Sequence, residues 1–178
     1  MLTVSVHQDN YYPPNSGLLS ENGDGPGAGT NINVPLPPGS GHGAYVDAWE
    51  RVAMAAVRRF RPDLIIVSSG FDGSAMDPLG RMMCTSETYR AMAEMTVEVA
   101  TEVCGGRLLA VHEGGYSTAY VPYCGLATVE AFLGKRTGVD DPFLGIFAGL
   151  GGRDRQPHQK AVIDDAAALV ASVPPGPT

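Results

Sequence analysis

The sequence predicts an α/β protein: a parallel sheet with helices on both faces, in a three-layer α/β/α arrangement. Three observations point to it. Short apolar or β-branched runs alternate with helical periodicity in the order strand, long loop, helix, strand, loop, helix, strand, loop, helix. The run Leu64 to Ser68 is continuously apolar, the pattern of strands buried on both faces of a parallel sheet. Polar or Gly-rich segments with chemistry-bearing side chains then follow the apolar runs, at the carboxyl edge where such sheets bind ligands.

The first strand is residues 2 to 7, LTVSVH, weakly alternating and rich in β-branched types. From Pro13 to Gly43 the chain is dense in Gly, Pro, Asn and Ser, and Asn31 to Val34 is a short extended piece at best. A loop of this length within a compact domain is usually functional or covers something. Tyr45, Ala48, Trp49, Val52, Ala56 and Phe60 recur at helical spacing, so Ala44 to Phe60 is a helix; Arg58 and Arg59 suit its negative end and Pro62 stops it. The next helix starts near Thr85-Ser86-Glu87, runs through Val103, and ends at Gly105-Gly106. Arg107 to His112 forms the third strand. The last core helix spans about Ala119 to Leu133, with Pro122 tolerable in its first turn.

After Gly134 the composition shifts to Gly, Asp, Arg and Pro, and only Gln159 to Val170 has helical character. Residues 1 to 134 therefore form the main domain, and 135 to 178 are expected as a peripheral extension with frayed ends.

The chain has 178 residues, 44% hydrophobic and 17% charged, the composition of a globular domain. Its net charge of −7 repels phosphate backbones and anionic lipid, which argues against direct nucleic-acid binding. No apolar run approaches the roughly 20 residues of a membrane span, and no secretory leader pattern opens the chain, so the expected location is cytoplasmic. Cys84, Cys104 and Cys124 lie outside any CxxC pair and are expected as reduced thiols.

Three strand ends carry the chemistry. "SSGFDGSAMDPLG" places Asp72 two residues after Gly70, where a carboxylate suits a cation, although a turn acid fits as well. "EGGY" puts the phenol of Tyr116 at the same edge, where a neutral donor can hydrogen-bond a developing oxyanion; a Tyr packed at a turn is the plainer explanation. His7 and His112 also end strands, where a structural imidazole is the plainer reading. Neither a GxSxG elbow nor a phosphate or dinucleotide loop is present.

Together, "SVHQDNYYPPNSG", "GPGAGTNINVPLPPGSG", "RPDLIIVSSGFDGSAMDPLGRM" and "AVHEGGYSTAYVPYCGLATVEAFLG" resemble, in order and at similar spacings, the carboxyl-terminal half of the histone deacetylase and acetylpolyamine amidohydrolase family, class II-like and of bacterial type. The resemblance covers about residues 2 to 134. It implies an arginase-like fold, here an incomplete half, and zinc-dependent removal of acetyl groups from lysine side chains or polyamines. By motif, Asp72 matches a zinc ligand and Tyr116 the tyrosine that polarises the acetyl carbonyl. Tyr12 matches an aromatic wall of the acyl channel, Leu79 the foot of the pocket, and Gly114 and Gly115 belong to its lining. Ser5 and the backbone around Val6 match part of a potassium site. Asp77 matches no ligand and is expected to fix the loop.

The family's tandem His pair and its Asp-x-His segment have no counterpart in this sequence. One carboxylate is too few ligands for catalytic zinc, and nothing replaces the water-activating base, so the chain alone is expected to be inactive. Three origins are weighed: a truncated gene product or gene model, first; half of a split enzyme completed by an N-terminal half polypeptide; and a non-catalytic interaction module. A sheet cut in the middle is also expected to leave an open strand edge at residues 2 to 7.

Overall fold

A computed structural model of the chain describes residues 1–151 and 153–176. Its strands are β1 (Thr3–Gln8), β2 (Asn31–Leu36), β3 (Ile65–Ser69) and β4 (Leu108–His112). Its helices are α1 (His42–Ala48), α2 (Ala55–Phe60), α3 (Ser86–Cys104), α4 (Val121–Leu133), α5 (Leu144–Ala148) and α6 (Pro157–Leu169). All strand pairing is parallel, and it falls into two separate ladders, β1 with β2 and β3 with β4. The molecule is thus an α/β fold built incompletely, because no ladder joins β1 to β3 among the described residues.

Local chemistry explains most boundaries. The helix expected over 44 to 60 runs from His42 to Phe60, with a π-helical stretch at Trp49–Met54 between α1 and α2. It stops where Arg61 turns left-handed (φ 50°), just before Pro62. Extended Thr85 precedes α3, and its amide donates to Thr88 Oγ1 (3.0 Å). Left-handed Gly105 and Gly134 end α3 and α4.

Three expectations change. Asn31 to Val34 belongs to a full six-residue strand, β2, whose Ile32, Val34 and Leu36 are completely buried. Asn and Pro within the segment masked an inward-facing alternation. The described part of the extension after Gly134 packs more deeply than expected: Ile163, Ala166 and Val173 are fully buried in the main core, beside β2 and α1.

The third change concerns the apolar strands. Ile65, Val67 and Leu108 pack inward against α3 and Val57. Their neighbours on the opposite face stay bare, with Ile66 60%, Leu109 51% and Val111 42% exposed. Ile66 and Leu109 are register partners, so this is one continuous surface. The expectation of burial on both faces fails because nothing in the described chain covers that face.

Candidate active site

The site forms where β1, β3 and β4 end. The β3–β4 ladder continues past the strands: Glu113 donates to the Ser69 carbonyl (3.1 Å) and Phe71 to the Gly114 carbonyl (2.7 Å). That pairing brings the GFD and EGGY segments side by side. Gly114 is required here, since a Cβ at that position would lie 2.5 Å from Asp72 Oδ2. Burial raises the Asp72 carboxyl above its ordinary range and the charge of Asp77 adds to this, while the amides of Asp72 and Gly73 pull it back.

Asp77 is the anchor of both loops. Its Oδ1 accepts from the amides of Leu79 and Gly80 (2.9 Å each), and its Oδ2 accepts from the amide of Tyr116 (2.8 Å). The loop-fixing role expected for it is therefore observed, and it extends to the tyrosine loop. Gly115, at φ 136°, completes the turn that leaves the Tyr116 side chain 54% exposed.

The β1 end closes on the same place. Tyr11 donates its hydroxyl to the Leu79 carbonyl (2.5 Å), and Gln8 Oε1 accepts from the Arg81 amide (2.8 Å). Sequence reasoning missed Tyr11, because adjacent Tyr11 and Tyr12 look equivalent until the loop's partner is known. Tyr12 itself is 87% exposed at the mouth. These groups line a cleft of about 640 Å³ that also holds Asp72, Gly114 and Tyr116.

His7 is committed elsewhere. Its Nε2 lies 3.0 Å from the Gly17 carbonyl, which can only accept, so Nε2 carries the proton and Nδ1 accepts from the Ser5 hydroxyl (2.8 Å). Nε2 ties the long loop to β1, while Nδ1 is bonded within the strand. His112 packs against Phe71 with its ring tilted by 59° and centroids 5.2 Å apart.

The donor set does not fit a catalytic zinc ion by itself. Such an ion takes three protein ligands, and among the described residues no three His, Cys, Asp or Glu side chains gather around one point. Cys84, Cys104 and Cys124 are free and buried, and burial pushes the Cys84 and Cys124 thiols up, away from thiolate. No described helix is long and apolar enough to cross a membrane.

Parallel strands that end in a carboxylate and a phenol at one cleft define the chain as part of a parallel α/β fold with its candidate site at the carboxyl edge. Residues 1–132 match the histone deacetylase domain, and the chain belongs to that family. It is 51% identical over 142 residues to the histone deacetylase-like amidohydrolase of Pseudomonas aeruginosa, covering 80% of this chain and 37% of that protein. A probable deacetylase of Archaeoglobus fulgidus is 37% identical over 135 residues, covering 75% and 37%. The solved structure of the histone deacetylase Clr3, a name borne by a Schizosaccharomyces pombe deacetylase, superposes with TM-score 0.80 at 30% identity, over 97% of this chain and 27% of that one. The chain thus spans about a third of the length of these bacterial and archaeal relatives.

Proposed function

We propose that this chain is the carboxyl-terminal portion of a zinc-dependent amidohydrolase acting on acetyl-lysine or acetylpolyamine, and that it is inactive until an N-terminal portion completes it. The observation that carries the reading is the placement of Asp72 and Tyr116 at one cleft, where no three His, Cys, Asp or Glu side chains of the described residues gather as zinc needs. Family membership supports amide hydrolysis as the reaction.

In that reaction the chain's own residues hold the substrate. Gly114 and Gly115 keep the wall thin, Leu79 forms the foot of the pocket and Tyr12 one side of its mouth. The Tyr116 hydroxyl donates to the acetyl oxygen as negative charge develops on it, a contact of the kind that contributes about 3–4 kcal/mol to barrier lowering. Asp72 is held ready as one metal ligand, and the ligands and base that this chain lacks come from the completing portion. Ser5 and Val6 remain the proposed contributors to a potassium site near β1.

The test is complementation. The chain alone should bind no stoichiometric zinc and show no hydrolysis of a fluorogenic acetyl-lysine reporter. Mixed with the N-terminal portion of the Pseudomonas aeruginosa relative, it should gain both. Asp72→Ala should lose zinc and activity, whereas Tyr116→Phe should retain zinc and lose at least a hundredfold in turnover. A soluble, folded complex without hydrolysis would overturn the reading in favour of a non-catalytic interaction module.

A further inference from the structure

The turn that carries Asp72 rests on buried side chains from two helices. A Cβ at Gly73 would lie 3.4 Å from the Tyr45 hydroxyl oxygen, 3.3 Å from that of Tyr89 and 3.9 Å from Cys84 Sγ. Tyr45 and Tyr89 are each 7% exposed, so both phenols are packed against this turn with little room to withdraw. Tyr89 belongs to α3, a 19-residue helix clamped to α4 through Arg90 and Glu130 (2.6 Å). Tyr45 belongs to α1, which has seven residues and no side-chain cap.

The start of α1 is stitched to the same turn. The Gly39 and Met83 amides donate to the Arg81 and Ser40 carbonyls (2.7 and 2.9 Å), and the Cys84 and Ala75 amides donate to the Gly73 and Cys84 carbonyls (3.1 and 2.9 Å). Residues 81–84 therefore lie between the segment that leads into α1 and the segment that follows Asp72. The other side of α1 is covered by the extension after Gly134. The Gly43 amide donates to the Arg153 carbonyl (2.7 Å), and a Cβ at Gly43 would lie 2.6 Å from the Arg155 amide nitrogen. Asp47 is the one acid of α1, and its Oδ2 takes Arg155 (2.5 Å) and Arg51 (3.2 Å). Arg51 in turn reaches Asp164 on α6 (2.7 Å). Two residues apart on a helix, Tyr45 and Asp47 point in directions about 200° apart. The extension thus grips α1 on one face while the phenol bears on the Asp72 turn from the other.

We infer that Asp47 is a positioning residue of the candidate site: its ion network with Arg155 and Arg51 seats the extension on α1, and α1 holds Tyr45 against Gly73 so that the Asp72 turn keeps one geometry. Asp47 itself does not line the cleft. Without its carboxylate, Arg51 and Arg155 face each other as like charges, the segment at 153–155 lifts, and Tyr45 gains room to withdraw. The network exceeds a lone surface pair, because the Asp47 side chain is only 17% exposed and two guanidinium groups share it. Arg155 and α6 lie beyond residues 1–132, the part that matches the deacetylase domain, so this control comes from outside the matched part. The inference rests on the amidohydrolase reading only for its turnover measurement.

The test is amide exchange by NMR on the full chain. In Asp47→Ala the Cys84 and Ala75 amides should exchange about tenfold faster, while Ile65 and Glu113, which bond along the β3–β4 ladder, keep their parent rates. Asp47→Asn, which keeps one oxygen for Arg155, should fall between. Equal acceleration of all four amides would show plain loss of stability, and unchanged Cys84 and Ala75 would show no linkage; either overturns the inference. Urea unfolding of Gly73→Ala gives a second readout. Its Cβ crowds both phenols, so its effect on the unfolding constant should shrink about fivefold when Asp47→Ala lets α1 retreat. Additive effects overturn the inference, and Arg155→Ala replaces Asp47→Ala in both experiments should the latter not fold. Completed by the N-terminal portion of the Pseudomonas aeruginosa relative, Asp47→Ala should lose about fivefold in kcat at unchanged KM. Turnover equal to the parent's despite a loosened turn also overturns the positioning role. No turnover by the completed parent, with the exchange pattern as expected, leaves the seating of the Asp72 turn standing and removes the amidohydrolase reading.

Discussion

Asp77 illustrates how a single carboxylate can matter without touching substrate. It is buried, and its two oxygens accept three backbone amides from two loops, those of Leu79, Gly80 and Tyr116. Removing the acceptor strands these donors and frees the tyrosine loop from the GFD loop. Asp77→Ala should lower stability by roughly 2–4 kcal/mol in urea unfolding, given that hydrogen bonds to charged groups contribute about 1.5–3 kcal/mol each and exposed amides recover water. Asp77→Asn keeps one acceptor oxygen and should fall between Ala and the parent. Equal stability of all three would show that the loops are held by packing alone. The sequence places Asp72 and Asp77 in one loop, five positions apart. The resemblance separated them, but that Asp77 reaches the Tyr116 amide was not legible, because it depends on a pairing 39 residues away.

Between elements, α3 and α4 are clamped by Arg90 and Glu130. Arg90 NH2 meets Glu130 Oε2 at 2.6 Å, and Glu130 Oε1 accepts from the Thr137 amide (2.6 Å) and hydroxyl (2.5 Å). These bonds, Thr137 foremost and then Arg90, hold the Glu130 carboxyl at about 2, below its ordinary 4.5. A depressed acid stabilises the fold above its unfolded value, and that contribution is lost as pH falls through the folded one. Melting temperature should therefore drop between about pH 4.5 and 2, and Glu130→Gln should lack this part of the acid dependence while being less stable at pH 7. Parallel acid profiles for the two proteins would contradict the clamp. Periodicity and end signals made α3 and α4 legible to within two residues, but a polar residue on a mostly apolar helix such as Glu130 gives no sign of its partner on another helix. β2 was expected only as a short extended piece for a related reason: Asn31, Asn33 and Pro35 suggest a loop, yet Ile32, Val34 and Leu36 alternate into the core and Asn33 is buried as well.

At the scale of the whole molecule, the apolar pattern of β3 and β4 was written for burial on two faces and finds cover on one. Pattern reasoning detects the need for cover but cannot say which segment supplies it, which is why the strands were legible and their bare face was not. Ile66, Leu109 and Val111 form a contiguous apolar surface beside the open β3 edge, a combination that favours association with any available chain. The isolated chain should consequently self-associate with rising concentration in light scattering or sedimentation. Replacing paired, exposed Ile66 and Leu109 by lysine should suppress this while changing stability by only about 0.5 kcal/mol per site, as at other exposed positions. Lysine also adds charge to the β3 edge without disturbing the β3–β4 ladder, whose core-facing residues are Ile65, Val67 and Leu108. If the double variant associates as strongly as the parent, the bare face is not the contact, and the unpaired β1 edge becomes the surface to block next.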